Sequence, residues 1–198
     1  RNQLREIVKN LRAENRLPNS LLHKIAASPT PPEMITEFLQ NTDFPVIDPP
    51  VRLMLAGSVP GHWELELIES MSAKVVADGT CLGDRAFHDI VPENGDLLKN
   101  LYDSYIENNL CPHRRPQNRV IDYIHHLAEE RHVDGIVFLT LKYCHPWGLS
   151  AVRFKDELGY PFLRLDDDLT SPAPGNMRTR VGAFIEMLKS GNHRKTAV

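Results

Sequence analysis

Several things are missing from this 198-residue chain, and each absence removes a class of function. No apolar run approaches the length needed to span a bilayer. There is no basic excess either. The formal net charge is -3 and the pI is near 6.3, which leaves no electrostatic footprint for nucleic acid or an anionic membrane. The opening "RNQLREIVKN" is charged and amphipathic, so no signal peptide is visible. Cysteines number three, far apart and never in C-x-x-C spacing. That argues against a disulfide framework and makes a reducing cytoplasm the expected compartment. No G-x-G-x-x-G and no P-loop occurs, so the usual nucleotide fingerprints are lacking.

What is present is a globular composition, 41% hydrophobic and 25% charged. The length suits one domain with a substantial core, or one domain with a helical appendage. The chain starts with Arg1 inside what already reads as a helix, which suggests a piece of a longer protein.

Periodicity organises the rest. Leu4, Ile7, Val8 and Leu11 fall on one face of an amphipathic helix. "NSLLHKIAAS" reads as a second helix with Asn19 or Ser20 as N-cap, and "TPPEMITEFLQN" as a third with proline in its first turn. The Pro-rich "NTDFPVIDPP" then reads as a linker, so residues 1–50 form a helical lead-in. From Val51 the apolar runs "VRLMLAGS", "AKVVADGTC", "VDGIVFLTLKYC" and "YPFLRLDDD" alternate with helical segments. Strands interleaved with helices predict parallel βαβ units. Residues 51–190 are therefore expected to form an α/β, doubly wound parallel sheet of about four strands, Rossmann- or flavodoxin-like. Residues 191–198 are expected to be a disordered tail.

In such a sheet, ligands bind beyond the carboxyl ends of the strands. Cys81 and Cys144 close the second and third runs, and Cys111 sits in a break between helices, in "NNLCPHRRP". Three thiols from three segments are thus placed to converge on one edge. Soft thiolates would favour zinc or an iron–sulfur cluster over magnesium or calcium. Lone cysteines about thirty residues apart suit a cluster seated between segments better than the paired spacing of zinc motifs. His88, His113 and His145 are neighbours that could add a ligand. Arg85, Arg114 and Arg115 place fixed charge beside the thiols, where they would lower thiol pKa values and hold an anionic cluster or phosphates. Asp166 to Asp168 end the fourth run at the same edge. The bland alternatives are buried structural cysteines, loop histidines and solvated arginines.

Taken together, "VVADGTCLGDR", "NNLCPHRR", "VDGIVFLTLKYCHPWG" and "GYPFLRLDDDLTSPAPGNMRTRVGAFIEML" resemble the second half of subunits of the 2-hydroxyacyl-CoA dehydratase and benzoyl-CoA reductase family. The resemblance runs from about Val51 to Leu188. Its most specific part is Thr179, Arg180, Ala183, Phe184, Glu186, Met187 and Leu188. It implies a [4Fe–4S] cluster on three cysteines, here Cys144, Cys81 and Cys111, with Arg85 and Arg114 beside it. It also implies a related second subunit, an ATP-dependent activator protein as electron donor, and an acyl-CoA substrate. One electron makes the thioester carbonyl a ketyl radical, which permits elimination of the 2-hydroxyl or begins ring reduction. Cys-His-Pro stands at Cys144 where the family usually has Cys-Asp-Pro. Other cluster cysteines of the family lie in an N-terminal domain that precedes this region. The leading expectation is the C-terminal domain of an iron–sulfur subunit of an anaerobic dehydratase or reductase. The alternatives are a non-catalytic accessory or metal-carrying relative, and a zinc site on a flavodoxin-like fold.

Overall fold

In the computed structural model, residues 1–167 and 175–191 are described. Three helices come first: α1 (Asn2–Ala13), α2 (Asn19–Ala27) and α3 (Pro32–Asn41). Residues 42–51 follow without helix or strand. The α/β part then runs β1 (Arg52–Gly57), α4 (His62–Glu69), β2 (Lys74–Asp78), a 3-10 turn (Asp84–Phe87), α5 (Leu97–Tyr102), α6 (Asn118–Glu130), β3 (Gly135–Leu141), α7 (His145–Leu158), β4 (Phe162–Asp167) and α8 (Gly175–Lys189). A π-helical turn (Asp103–Glu107) prolongs α5. All pairings are parallel and the strand order is β2-β1-β3-β4. The expected four-strand parallel α/β sheet is what the chain builds. Of the tail expected to be disordered, residues 191–198, all but Gly191 lie outside the described residues.

Strand alternation sorts the core into two layers, because successive side chains leave a strand on opposite faces. Met54, Ala56, Val76, Ile136 and Phe138 face α6 and α7. Leu53, Leu55, Val75, Val137, Leu139 and Leu165 face α4 and α8. Both faces being covered explains why the strands read as continuous apolar runs. Phe138 anchors the first layer, with ring centroids 5.6 Å from Trp147, 5.5 Å from Phe154 and 5.2 Å from Phe162. At the end of β1, Gly57 takes φ +100°, and a Cβ there would meet the Leu139 carbonyl oxygen at 2.1 Å. The turn out of β1 thus depends on glycine.

The lead-in helices bury a third cluster of their own, with Leu4, Val8, Leu22, Ile25 and Leu39, into which Phe87 reaches from the 3-10 turn. They lie against β2, an edge strand. Arg12 Nη1 donates to the Val75 carbonyl at 3.4 Å, and Asn19 and His23 reach Asp78. An exposed strand edge invites pairing with other chains, and these helices cover this one. The sequence offers Asn19 or Ser20 as the cap of α2. The cap residue is instead Pro18, and the Asn19 amide is spent on Asp78. Helix α7 starts at His145, five residues before the expected "SAVRFKDELG", with Pro146 in its first turn. Among the described residues, no helix is long and apolar enough to cross a membrane.

Candidate functional site

At the carboxyl edge of the sheet, each strand hands over to a loop that carries polar groups. Strand β2 ends at Asp78, and the loop "GTCLG" places Cys81 three residues past the strand instead of on it. A hydrogen-bond network clamps both ends of that loop. The Asp78 carboxylate, fully buried, accepts from Asn19 Nδ2 at 2.7 Å, His23 Nε2 at 2.7 Å, the Thr80 amide at 2.8 Å and Thr80 Oγ1 at 2.6 Å. Asp84 Oδ2 accepts the Asp78 amide at 2.8 Å, and both Asp84 oxygens take Arg12, at 2.8 and 3.0 Å. At Gly83 a Cβ would fall 2.1 Å from Asp78 Oδ1, so the loop closes tightly because that residue has no side chain. Burial works to raise the Asp78 pKa, but the His23 hydrogen bond and charge outweigh it and the net shift is downward. Burial likewise opposes the Arg12 charge, and the ion pair with Asp84 outweighs it, so the net shift is upward.

Cys81 and Cys111 share the wall of one cavity of about 400 Å³, together with Arg5, Arg85 and Tyr105. Arg85 donates to the Leu110 carbonyl and sets its guanidinium 5.7 Å from the centre of the Trp147 ring. One side chain therefore ties the loop of Cys81, the segment of Cys111 and the first turn of α7. Cys111 Sγ lies 3.3 Å from His113 Nδ1. Cys144 is the N-cap residue of α7, packs against the α6–α7 core layer and is not among the residues that line that cavity. All three cysteines are free and half-buried. Among the described residues, no three His, Cys, Asp or Glu stand close enough together to hold a metal ion. Of the three expected ligands the fold thus gathers two.

The expected charges divide as well. Arg85 sits in the cavity, whereas Arg114 turns to Glu107, with an ion pair and a backbone hydrogen bond both at 2.9 Å. Asp166 pairs with Arg164 on the exposed side of β4, at 2.7 Å, and Asp168 lies outside the described residues. His88 stacks edge-on against Tyr123, at 4.7 Å between centroids.

A further carboxyl pair was not foreseen. Glu64, on the first turn of α4, and Asp167, the last residue of β4, are 2% and 8% exposed. Burial is the main cause that raises Glu64 to about 7, and a hydrogen bond to Asp167 adds to it. Glu64 Oε2 and Asp167 Oδ2 have no hydrogen-bond partner among the described residues, and nor does Thr140 Oγ1 at the end of β3. A signal was available in "HWELE", where a glutamate stands at the helix start directly beyond the loop after β1.

Comparison with known proteins fits this geometry to a family. The chain is 30% identical over 149 residues to "Putative dehydratase subunit YjiM" of Escherichia coli (strain K12), covering 72% of this chain and 39% of the relative. It is 25% identical over 127 residues to the (R)-phenyllactyl-CoA dehydratase beta subunit of Clostridium sporogenes, covering 63% of this chain and 34% of that protein. The chain therefore spans little more than a third of the length of either relative. A family model described as 2-hydroxyglutaryl-CoA dehydratase, D-component, matches residues 1–188, so the lead-in helices belong to the shared region along with the sheet. The chain belongs to the 2-hydroxyglutaryl-CoA dehydratase D-component family.

Proposed function

We propose that this chain is part of a subunit of an enzyme that dehydrates a 2-hydroxyacyl-CoA thioester, with Cys81, Cys111 and Cys144 as ligands of a [4Fe–4S] cluster at the carboxyl edge of the sheet. The observation that carries the reading is the cavity walled by Cys81, Cys111 and Arg85, at the edge where open α/β sheets bind ligands, in a chain of a dehydratase family. Relatives named as dehydratase subunits favour elimination over ring reduction. Free, half-buried thiols are the ligand type that iron–sulfur clusters take, and two of the three, Cys81 and Cys111, line one cavity, while Cys144 is not on that wall. When bound, such a cluster supplies one electron and a Lewis-acidic iron to the substrate's oxygen.

The chain's own residues would prepare the site. The Asp78–Asp84 clamp holds the Cys81 loop in one conformation, so its thiol is positioned before any ligand arrives. Arg85 and Arg5 supply positive charge on the same wall, which suits an anionic cluster or the phosphates of CoA. The partners that follow from this reading are a related second subunit, an ATP-dependent activator protein and an acyl-CoA. That Cys144 does not line the cavity of Cys81 and Cys111 favours a second reading, a metal-carrying or non-catalytic relative.

Iron and acid-labile sulfide content of the complete subunit, purified anaerobically, tests both. About four of each per chain, reduced in Cys81→Ser, Cys111→Ser and Cys144→Ser alike, is the expected result. Full iron content in Cys144→Ser would remove Cys144 from the site and support the second reading. Full content in all three variants would overturn the cluster assignment.

A further inference from the structure

Helix α5 and the π-helical turn that prolongs it are turned inside out. Leu97, Leu98, Leu101, Tyr102, Tyr105 and Ile106 are all exposed, Leu98 at 80%, and neither element contains a buried residue. The polar residues between them face the molecule instead. Asn100, Asp103 and Ser104 line a cavity of about 410 Å³ together with His88, Ile90 and Pro92. Asn100 Nδ2 donates to the Pro92 and Asn94 carbonyls, at 2.9 and 2.7 Å. At the far end Arg114 and Arg119 donate to the Glu107 carbonyl, at 2.9 and 3.4 Å. These bonds fix which side of the helix looks outward. A surface helix ordinarily turns its apolar stripe to the core and its polar face to water. The exposed apolar residues elsewhere, such as Val152 on α7 and Met34 on α3, belong to helices that also bury a face. On α5 the whole apolar stripe is left for something else to cover.

The stripe is complementary to itself. Its six residues are spaced evenly about the midpoint between Leu101 and Tyr102. A two-fold axis there sets two α5 helices antiparallel, with Leu97 on the partner's Ile106, Leu98 on the partner's Tyr105 and Leu101 on the partner's Tyr102. The charges at the two ends match as well. Asp96, which caps α5 at the amides of Leu98 and Lys99, stands at one end, and Arg114 and Arg119 outnumber Glu107 at the other. Antiparallel packing brings the acidic end of one copy to the basic end of the next, whereas parallel packing would set like ends together. The area is of the right order too. The six side chains leave roughly 600 Å² in water, against about 800 Å² per partner in a standard interface and about 300–600 Å² for the largest patch of a typical monomer. Ser104 and Tyr105 also line the cavity of Cys81 and Cys111, so whatever covers this face borders that cavity.

We propose that α5 and its π-helical turn form a two-fold interface between two copies of this chain, beside the cavity of Cys81 and Cys111. The test is sedimentation velocity of the full chain at about 1–100 µM, with circular dichroism of each variant. A reversible dimer of twice the 22.5 kDa chain mass is expected within that range. Leu98→Glu and Leu101→Glu should each weaken dimerisation about tenfold or more. Their circular dichroism should not change, because both side chains are exposed in the single chain. Asp96→Asn keeps the helix cap and removes the charge, and should weaken dimerisation about two- to threefold at low salt. Val152→Glu, exposed on α7, should leave it unchanged. Monomers throughout the range would overturn a second copy as the occupant of this face. A dimer lost in Val152→Glu but kept in both leucine variants would overturn the face itself. Loss of helicity in the leucine variants would place those side chains in the fold and not in an interface, and would overturn the proposal as well.

Discussion

Two pairs of buried acids stand beside the same sheet, Asp78 with Asp84 and Glu64 with Asp167, and they are constructed in opposite ways. Around Asp78 and Asp84 every carboxylate oxygen has a partner, and a guanidinium and an imidazole face them. Glu64 and Asp167 are linked by a hydrogen bond, and an oxygen on each finds no partner among the described residues. The first pair joins the lead-in helices to β2, and its partners hold the Asp78 pKa below the ordinary carboxylate value. In the second, burial raises Glu64 to about 7, at the edge where ligands bind. Satisfied charges make a joint, whereas unsatisfied ones make a group that can exchange a proton.

The largest effect should come from breaking the joint. Asp78→Ala leaves Asn19, His23 and Thr80 without their acceptor in the interior, and should cost roughly 3–5 kcal/mol in urea unfolding. A loss below about 1 kcal/mol would show that the network is dispensable. Gly83→Ala comes next, at about 1–3 kcal/mol, because its Cβ would collide with the Asp78 carboxylate. On the proposed function, it should also lower iron incorporation through the Cys81 loop.

The pH dependence separates the pairs by sign. Asp78, held below its ordinary value, contributes stability that is present above the unfolded carboxylate range and lost as pH falls through the folded pKa. Glu64, raised from 4.5 to about 7, acts in reverse: its contribution is complete below 4.5 and is lost as pH rises through about 7. Stability should therefore fall by roughly 1–3 kcal/mol between those limits on this account. Glu64→Gln should flatten that segment of the curve, and an unaltered slope in denaturation at pH 5 and pH 8 would refute the protonated pair. The smallest effect is expected at Arg114→Gln, which removes an exposed ion pair with Glu107 and should change stability by less than about 0.5 kcal/mol.

The sequence by itself determined the sheet. Continuous apolar runs such as Ile136–Leu139 can only be buried on both faces, and helices of 3.6 periodicity between them leave the parallel arrangement as the packing solution. The family motifs were legible for a related reason, since they are contiguous stretches such as "TRVGAFIEML" whose order along the chain survives without coordinates. Tertiary structure decided everything that depends on distance between segments. It alone put Cys81 and Cys111 on one wall and Cys144 at a helix cap. It alone took Asn19 from a capping role and gave it to a carboxylate 59 residues away. Glu64 met Asp167, and Arg131 Nε and Nη1 were left without a hydrogen-bond partner among the described residues, for the same reason. Periodicity reports which face a residue occupies, but burial and partner geometry arise only when separate elements pack, and those set charge, pKa and chemistry.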